Sequence, residues 1–307
     1  MNLETLNAVR EQVDQRSSKG VYRIRLCFRC ELYFSDFSRE PKGVAHFYKT
    51  VLPLIRDSVR WYDVDGKRRP RKIKPEAFDM IPFWAGFNEK GRTTWGLTLE
   101  NGATKDDISD CAFNLFSLYL GSLGAGELAL YLPIEYLIRD GLDIVALLKE
   151  ATRELGFLHG TAGFGINIDP DYPSQHEEFA VYALSRRYRG IEVNDPGWFS
   201  QYADQGIPNI NWLTLIGSDL VERLDRPAVL DPLTTGDVRI HRLEHGLMLQ
   251  AGPEPSFGDV NRGETLDAYH AVGRALCPLR VKTGDIELWD GIGGEENTQE
   301  WLARFDT

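Results

Sequence analysis

Asp63-Val64-Asp65-Gly66 opens like a calcium-binding loop, with alternating carboxylates and a glycine that permits a sharp turn. Lys67 and Arg68 then stand where further oxygen ligands belong, so the tetrad reads as a hairpin turn. Cys27 and Cys30 form a CxxC with no second pair behind it. A zinc knuckle needs its thiols on one side of the chain. Here Tyr22, Ile24, Leu26, Phe28, Cys30, Leu32 and Phe34 fall on one face of a strand, and Arg23, Arg25, Cys27, Arg29 and Glu31 on the other. The two thiols therefore point apart. Residues 159–166, HGTAGFGI, lack the Lys-Ser/Thr ending of a phosphate loop, and their glycines mark a bulge or a close backbone approach within a strand. His241 and His245, read on one strand face beside Arg239, would lie about 13 Å apart, too far to share a metal ion. His176-Glu177-Glu178 lacks the second histidine of a helical zinc motif, and no serine sits in a GxSxG elbow. No metal or cofactor is expected.

With 46 aspartates and glutamates, an acid–base pair can be drawn almost anywhere. Glu244, Asp259 and Asp169 are the natural candidates if the chain is an enzyme that uses buried carboxylates on an α+β scaffold. Two charge features are more local. Lys67, Arg68, Arg69, Arg71, Lys72 and Lys74 make a basic run, either a solvated loop or a contact for an acidic surface. Asp285, Glu287, Asp290, Glu295, Glu296 and Glu300 make an acidic stretch free of Lys and Arg, interleaved with Trp289 and Trp301. Anionic steering plus aromatic anchors suits an interface with a cationic partner. Asp285, Glu287, Trp289, Asp290, Glu295 and Glu296 are the candidate partner-binding residues; the alternative is a soluble tail whose tryptophans pack on the core.

The elements that must position these groups follow from periodicity. A polar helical arm precedes a strand at 21–34. A helix covers 40–59, with Val44, Phe47, Val51, Ile55 and Val59 at helical spacing and Pro53 inside it. Residues 62–92 read as a polar loop. Strands at 94–100, 111–120 and 127–133 form an antiparallel meander. A helix at 141–155, with Asp140 as its cap, closes the first half. The second half gives a strand at 157–168 and a helix at 175–188 opened by a Ser174/Glu177 capping box. A hairpin at 237–252 leads through a Gly/Pro loop to a helix at 266–276, a last strand near 285–289 and a short terminal helix. The fold class is therefore α+β: antiparallel β-sheets with packed helices. The halves 1–156 and 157–307 read as two related β-α-β-β-α lobes.

A chain of 307 residues holds one large domain or two fused ones. Its net charge of −11 argues against direct nucleic-acid binding, which needs a basic face to neutralise phosphates. The apolar run at 111–132 is broken by Asn114, Glu127 and glycines, so no membrane span is expected. Unpaired thiols, and an N-terminus without a basic start or apolar core, point to the cytoplasm.

Four blocks in order, LYLPIEYL (130–137) with HGTAGFGI (159–166), RRYRGIEV (186–193), INWLTLIGSDLVERL (210–224), and LQAGPEPSFGDVNRG (249–263) with YHAVGRALCPLR (269–280), resemble the type VI secretion immunity family. The resemblance covers about residues 20–282 as one continuous domain and is closest to members that neutralise a restriction-endonuclease-type nuclease. It implies a cytoplasmic antidote without enzymatic activity, whose partner is a cognate toxin with a basic, DNA-holding surface. An effector-loading adaptor or chaperone is the remaining alternative.

Overall fold

The computed structural model describes residues 2–67, 69–87, 93–118, 125–139, 141–168, 175–193, 199–224, 230, 233, 236–281, 288 and 294–307. Its centre is β2 (Tyr22–Phe34), preceded by the short β1 (Gln15–Arg16). β2 pairs antiparallel with β7 (Gly126–Leu132) on one side and with β8 (Phe157–Ile168) along nearly its whole length on the other. Beyond β7 the sheet continues through β6 (Ala112–Leu118), β5 (Thr94–Glu100), β3 (Trp61–Val64) and β4 (Arg71–Lys72). Beyond β8 it continues through β9 (Leu213–Gly217), β11 (Gly246–Ala251) and β10 (Val238–Leu243). One eleven-stranded sheet thus runs across the 156/157 boundary. The fold is α+β with an antiparallel sheet, as its patterning predicts.

Helices pack through two hydrophobic clusters. The larger joins Phe28, Cys30, Leu32 and Phe34 of β2 to α2 (Pro41–Ile55), α3 (Met80–Gly86), α4 (Ile144–Ala151), α6 (Ser218–Glu222) and α7 (Asp267–Leu276). In α2 the expected stripe Val44, Phe47, Val51 and Ile55 is buried, Pro41 opens the helix, and Pro53 falls in its last turn. The second cluster gathers α1 (Leu3–Val13), α5 (Gln175–Arg187) and α8 (Gly294–Leu302) around Tyr33, Phe164, Tyr188 and Phe257.

Cys27 and Cys30 enter different clusters, Cys27 meeting Ala112, Ala129 and Tyr131, and all four cysteines are free thiols. The other face of β2 is not a solvent face, however. Arg29 is 3% exposed and Glu31 1%, and the two form an ion pair. Arg29 leans diagonally over Gly165 of β8, which itself pairs with Cys27: a Cβ there would come within 2.9 Å of the Arg29 side chain. Its guanidinium donates to the Ile166 carbonyl at 3.2 Å. Each glycine of HGTAGFGI lets a neighbour approach closely: Leu32 and the Glu31 carbonyl at Gly160, Asn211 at Gly163 and Arg29 at Gly165.

Other expectations shift. Residues 61–86, read as loop from 62 onward, contain β3, β4 and α3. Asp143, not Asp140, caps α4, accepting from the Ala146 amide at 3.0 Å; Asp140 lies outside the described residues. Ser174 and the strand placed at 285–289, Leu288 excepted, also lie outside them. Among the described residues no helix is long and apolar enough to cross a membrane.

Candidate partner-binding site

The acidic stretch ends in α8, whose buried side is Thr298, Trp301 and Leu302. Trp301 is 2% exposed with the Arg304 guanidinium 3.7 Å above its ring, so this tryptophan anchors the helix to the core. Glu295 and Glu296 occupy the exposed first turn, where negative charge also complements the helix dipole. Glu300 is tied to Arg186 by an ion pair. Asp285, Glu287, Trp289 and Asp290 lie outside the described residues. Leu288 between them is buried, and its amide donates to Thr298 Oγ1 at 2.8 Å, which ties that one residue to α8.

Three of the sequence blocks meet at one structural knot. Phe257 stacks on Phe164 of β8 with ring centroids 3.9 Å apart and meets Tyr188 edge-on at 6.3 Å. The Gly190 amide donates to the Phe257 carbonyl at 2.9 Å and the Arg189 amide to the Gly258 carbonyl at 3.2 Å. Asp259 receives two hydrogen bonds from Arg187, at 3.2 and 2.9 Å, which hold its carboxyl below the usual range. Glu192 accepts from Asn209 at 2.5 Å and stands 3.6 Å from Arg304. These residues fasten the loop 253–263 and the C-terminus to the sheet. Asp259 is thus an ionised structural carboxylate, Glu244 sits exposed in the β10–β11 turn, and Asp169 lies outside the described residues.

His241 and His245 do not share a strand, because the hairpin turns at Glu244-His245. His241 bonds Gln250 across the hairpin at 2.9 Å. With Arg239, Trp212, Pro253 and Glu254 it lines a cleft of about 460 Å³ facing the start of α4, a hollow that the alternation of Arg239 and His241 hints at but does not locate. Among the described residues no group of three or more His, Cys, Asp and Glu could hold a metal ion.

His159 is 1% exposed against the Tyr33 ring, and burial holds its imidazole neutral, with a pKa down to about 3. The unfolded chain takes up that proton near 6.5, so the folded state loses stability as pH falls from about 6.5 toward 3. The contribution is complete above that window and is lost at up to about 1.4 kcal/mol per pH unit inside it. Urea unfolding at pH 7.5, 6.0 and 5.0 should show this slope, and His159→Phe should flatten it. Equal slopes in the two proteins would acquit His159.

A family model described as TsiV, type VI immunity for VRR-NUC, matches residues 44–305, a span that includes α8. Among solved structures, the T6SS protein PA0821 of Pseudomonas aeruginosa is similar with a TM-score of 0.83 at 18% identity, over 100% of this chain and 91% of that one. At that identity the likeness establishes the fold. Comparison with curated proteins gives no match. A family match across most of the sequence, on a fold shared with a secretion-system protein, places the chain in the TsiV family of type VI immunity proteins for VRR-NUC.

Proposed function

We propose that this immunity protein is a cytoplasmic antidote that works by binding its VRR-NUC effector, without catalysis of its own, and that the acidic C-terminal stretch is part of the contact. The observation that carries the reading is the family match over residues 44–305. The physics supports it. A nuclease holds DNA through cationic groups, and a protein of net charge −11 competes for those groups while long-range attraction speeds encounter. Glu295 and Glu296 project from a helix whose other side is locked by Trp301, so their charges are presented on a rigid support.

Co-expression with the effector tests the reading: growth should be restored and the two proteins should co-purify. Persistent toxicity at equal antidote levels would end it. For the contact itself, Glu287→Lys, Asp290→Lys, Glu295→Lys and Glu296→Lys together should slow association about tenfold at low ionic strength, with the difference shrinking as salt rises. An association rate equal to that of the parent protein would move the interface elsewhere.

A further inference from the structure

At the β4 edge of the sheet the charge is reversed. Lys67, Arg69, Arg71, Lys72 and Lys74 are all exposed on or beside the β3–β4 hairpin of a chain whose net charge is −11; Arg68 lies outside the described residues. The turn at Asp65-Gly66 is held in a fixed shape. Asp65 has φ +58, the one positive value at a non-glycine among the described residues. Its amide donates to the Gly96 carbonyl at 2.8 Å, and its carboxylate accepts from the Gly96 amide at 3.3 Å. This approach needs the glycine, because a Cβ on residue 96 would stand 2.9 Å from the Asp65 Cα. Asp63 fixes the other limb by accepting from the Arg69 amide at 3.0 Å. Beside the tip, Phe116 of β6 is 42% exposed, and a Cβ on Gly66 would lie 3.7 Å from its ring.

Lysines alone guard many sheet edges against pairing with other strands. That role calls for neither an exposed phenyl ring beside the turn nor a turn clamped in a rare backbone conformation. Rigid backbone, cations and a partly exposed aromatic are the composition of an interaction hot spot. We propose that the β3–β4 hairpin together with Phe116 is a second docking surface, which receives a carboxylate-rich patch of the effector protein. This rests on the antidote reading above. A nuclease that uses divalent cations holds them with carboxylates set within an otherwise cationic DNA-binding face. Such a partner offers both signs of charge, and so does this chain: acids on α8, cations on the hairpin. Nucleic acid is the weaker occupant, since the protein as a whole repels a polyanion.

The test is binding of the purified VRR-NUC effector, kept inert with EDTA, to the full chain. Lys67→Glu/Arg69→Glu should weaken binding at least 30-fold, and Phe116→Ala about tenfold, with melting temperatures unchanged. Lys105→Glu/Lys149→Glu, which alters net charge equally at exposed positions on the β5–β6 loop and α4, outside the hairpin itself, should stay within threefold. Binding by the hairpin variants within twofold of the parent would overturn the proposal while leaving the antidote reading intact. So would an equal loss in the Lys105/Lys149 control, or a hairpin that binds duplex DNA and not the effector. If the parent chain itself fails to bind, the antidote reading falls and takes this surface with it.

Discussion

Glu192→Ala is expected to lower the free energy of unfolding by about 3–5 kcal/mol, the range for removing one member of a buried ion pair. Glu192 is 1% exposed and Arg304 5%. Burial already pulls the Arg304 pKa down to about 10 even with Glu192 beside it, so this cation is poorly compensated as it stands. Without the carboxylate, a guanidinium stays enclosed, its acceptors among the described residues being the Arg189 and Trp301 carbonyls, each at 3.0 Å. Glu192→Gln combined with Arg304→Met should regain most of the loss, because both charges leave together. Urea denaturation reads all three proteins. A loss below about 1 kcal/mol in the single variant would mean that water reaches Arg304.

Much of this fold can be read from residue order where local contrast is strong. β2 alternates over thirteen residues, and β5, β6 and β7 are separated by turn-rich linkers, so strand and meander are both visible. β9 is not visible: all five of its residues, Thr214 included, are buried, so no alternation of inward and outward positions tells strand from helix. In α3, Pro82 and the glycine end of MIPFWAG disguise a short helix as loop. The β10–β11 turn uses Glu244-His245, which carry none of the glycine or asparagine signals of a tight hairpin, and the needed freedom falls instead on Gly246. Arg29 looks solvent-facing because the groups that meet it, the Tyr131 ring of β7 and the Ile166 carbonyl of β8, lie far away in sequence. For the candidate site, sequence alone finds the acid-rich stretch. It cannot separate Trp301, a core anchor, from the outward Glu295 and Glu296, since that division depends on how α8 docks.

Phe257→Ala is expected to cost about 3–5 kcal/mol, the usual price of emptying an aromatic site in a core. The loss would reach beyond the cavity. Phe257 sits between Phe164 of β8 and Tyr188, and its carbonyl holds the Gly190 amide, so three distant segments share this one side chain. Amide hydrogen exchange should accelerate first at residues 186–193 and 256–260. Phe257→Leu, which keeps much of the apolar bulk but gives up ring stacking, should cost about 1–2 kcal/mol. If alanine and leucine prove equally mild, the stacked rings are ornamental and the backbone bonds alone secure the loop.

The pairing of β2 with β8 sets a timetable for making this protein. Ile24 meets Ile168 and Phe34 meets Phe157, so an early segment waits for one more than a hundred residues later. At ribosomal speeds of about 5–20 residues per second, about 6–30 s separates the emergence of the two. Contacts this distant along the chain slow folding and leave a long strand edge open meanwhile. A chain that ends before residue 157 lacks β8 and cannot form this pairing. Protection against an injected enzyme depends on finished molecules kept in stock before the attack begins.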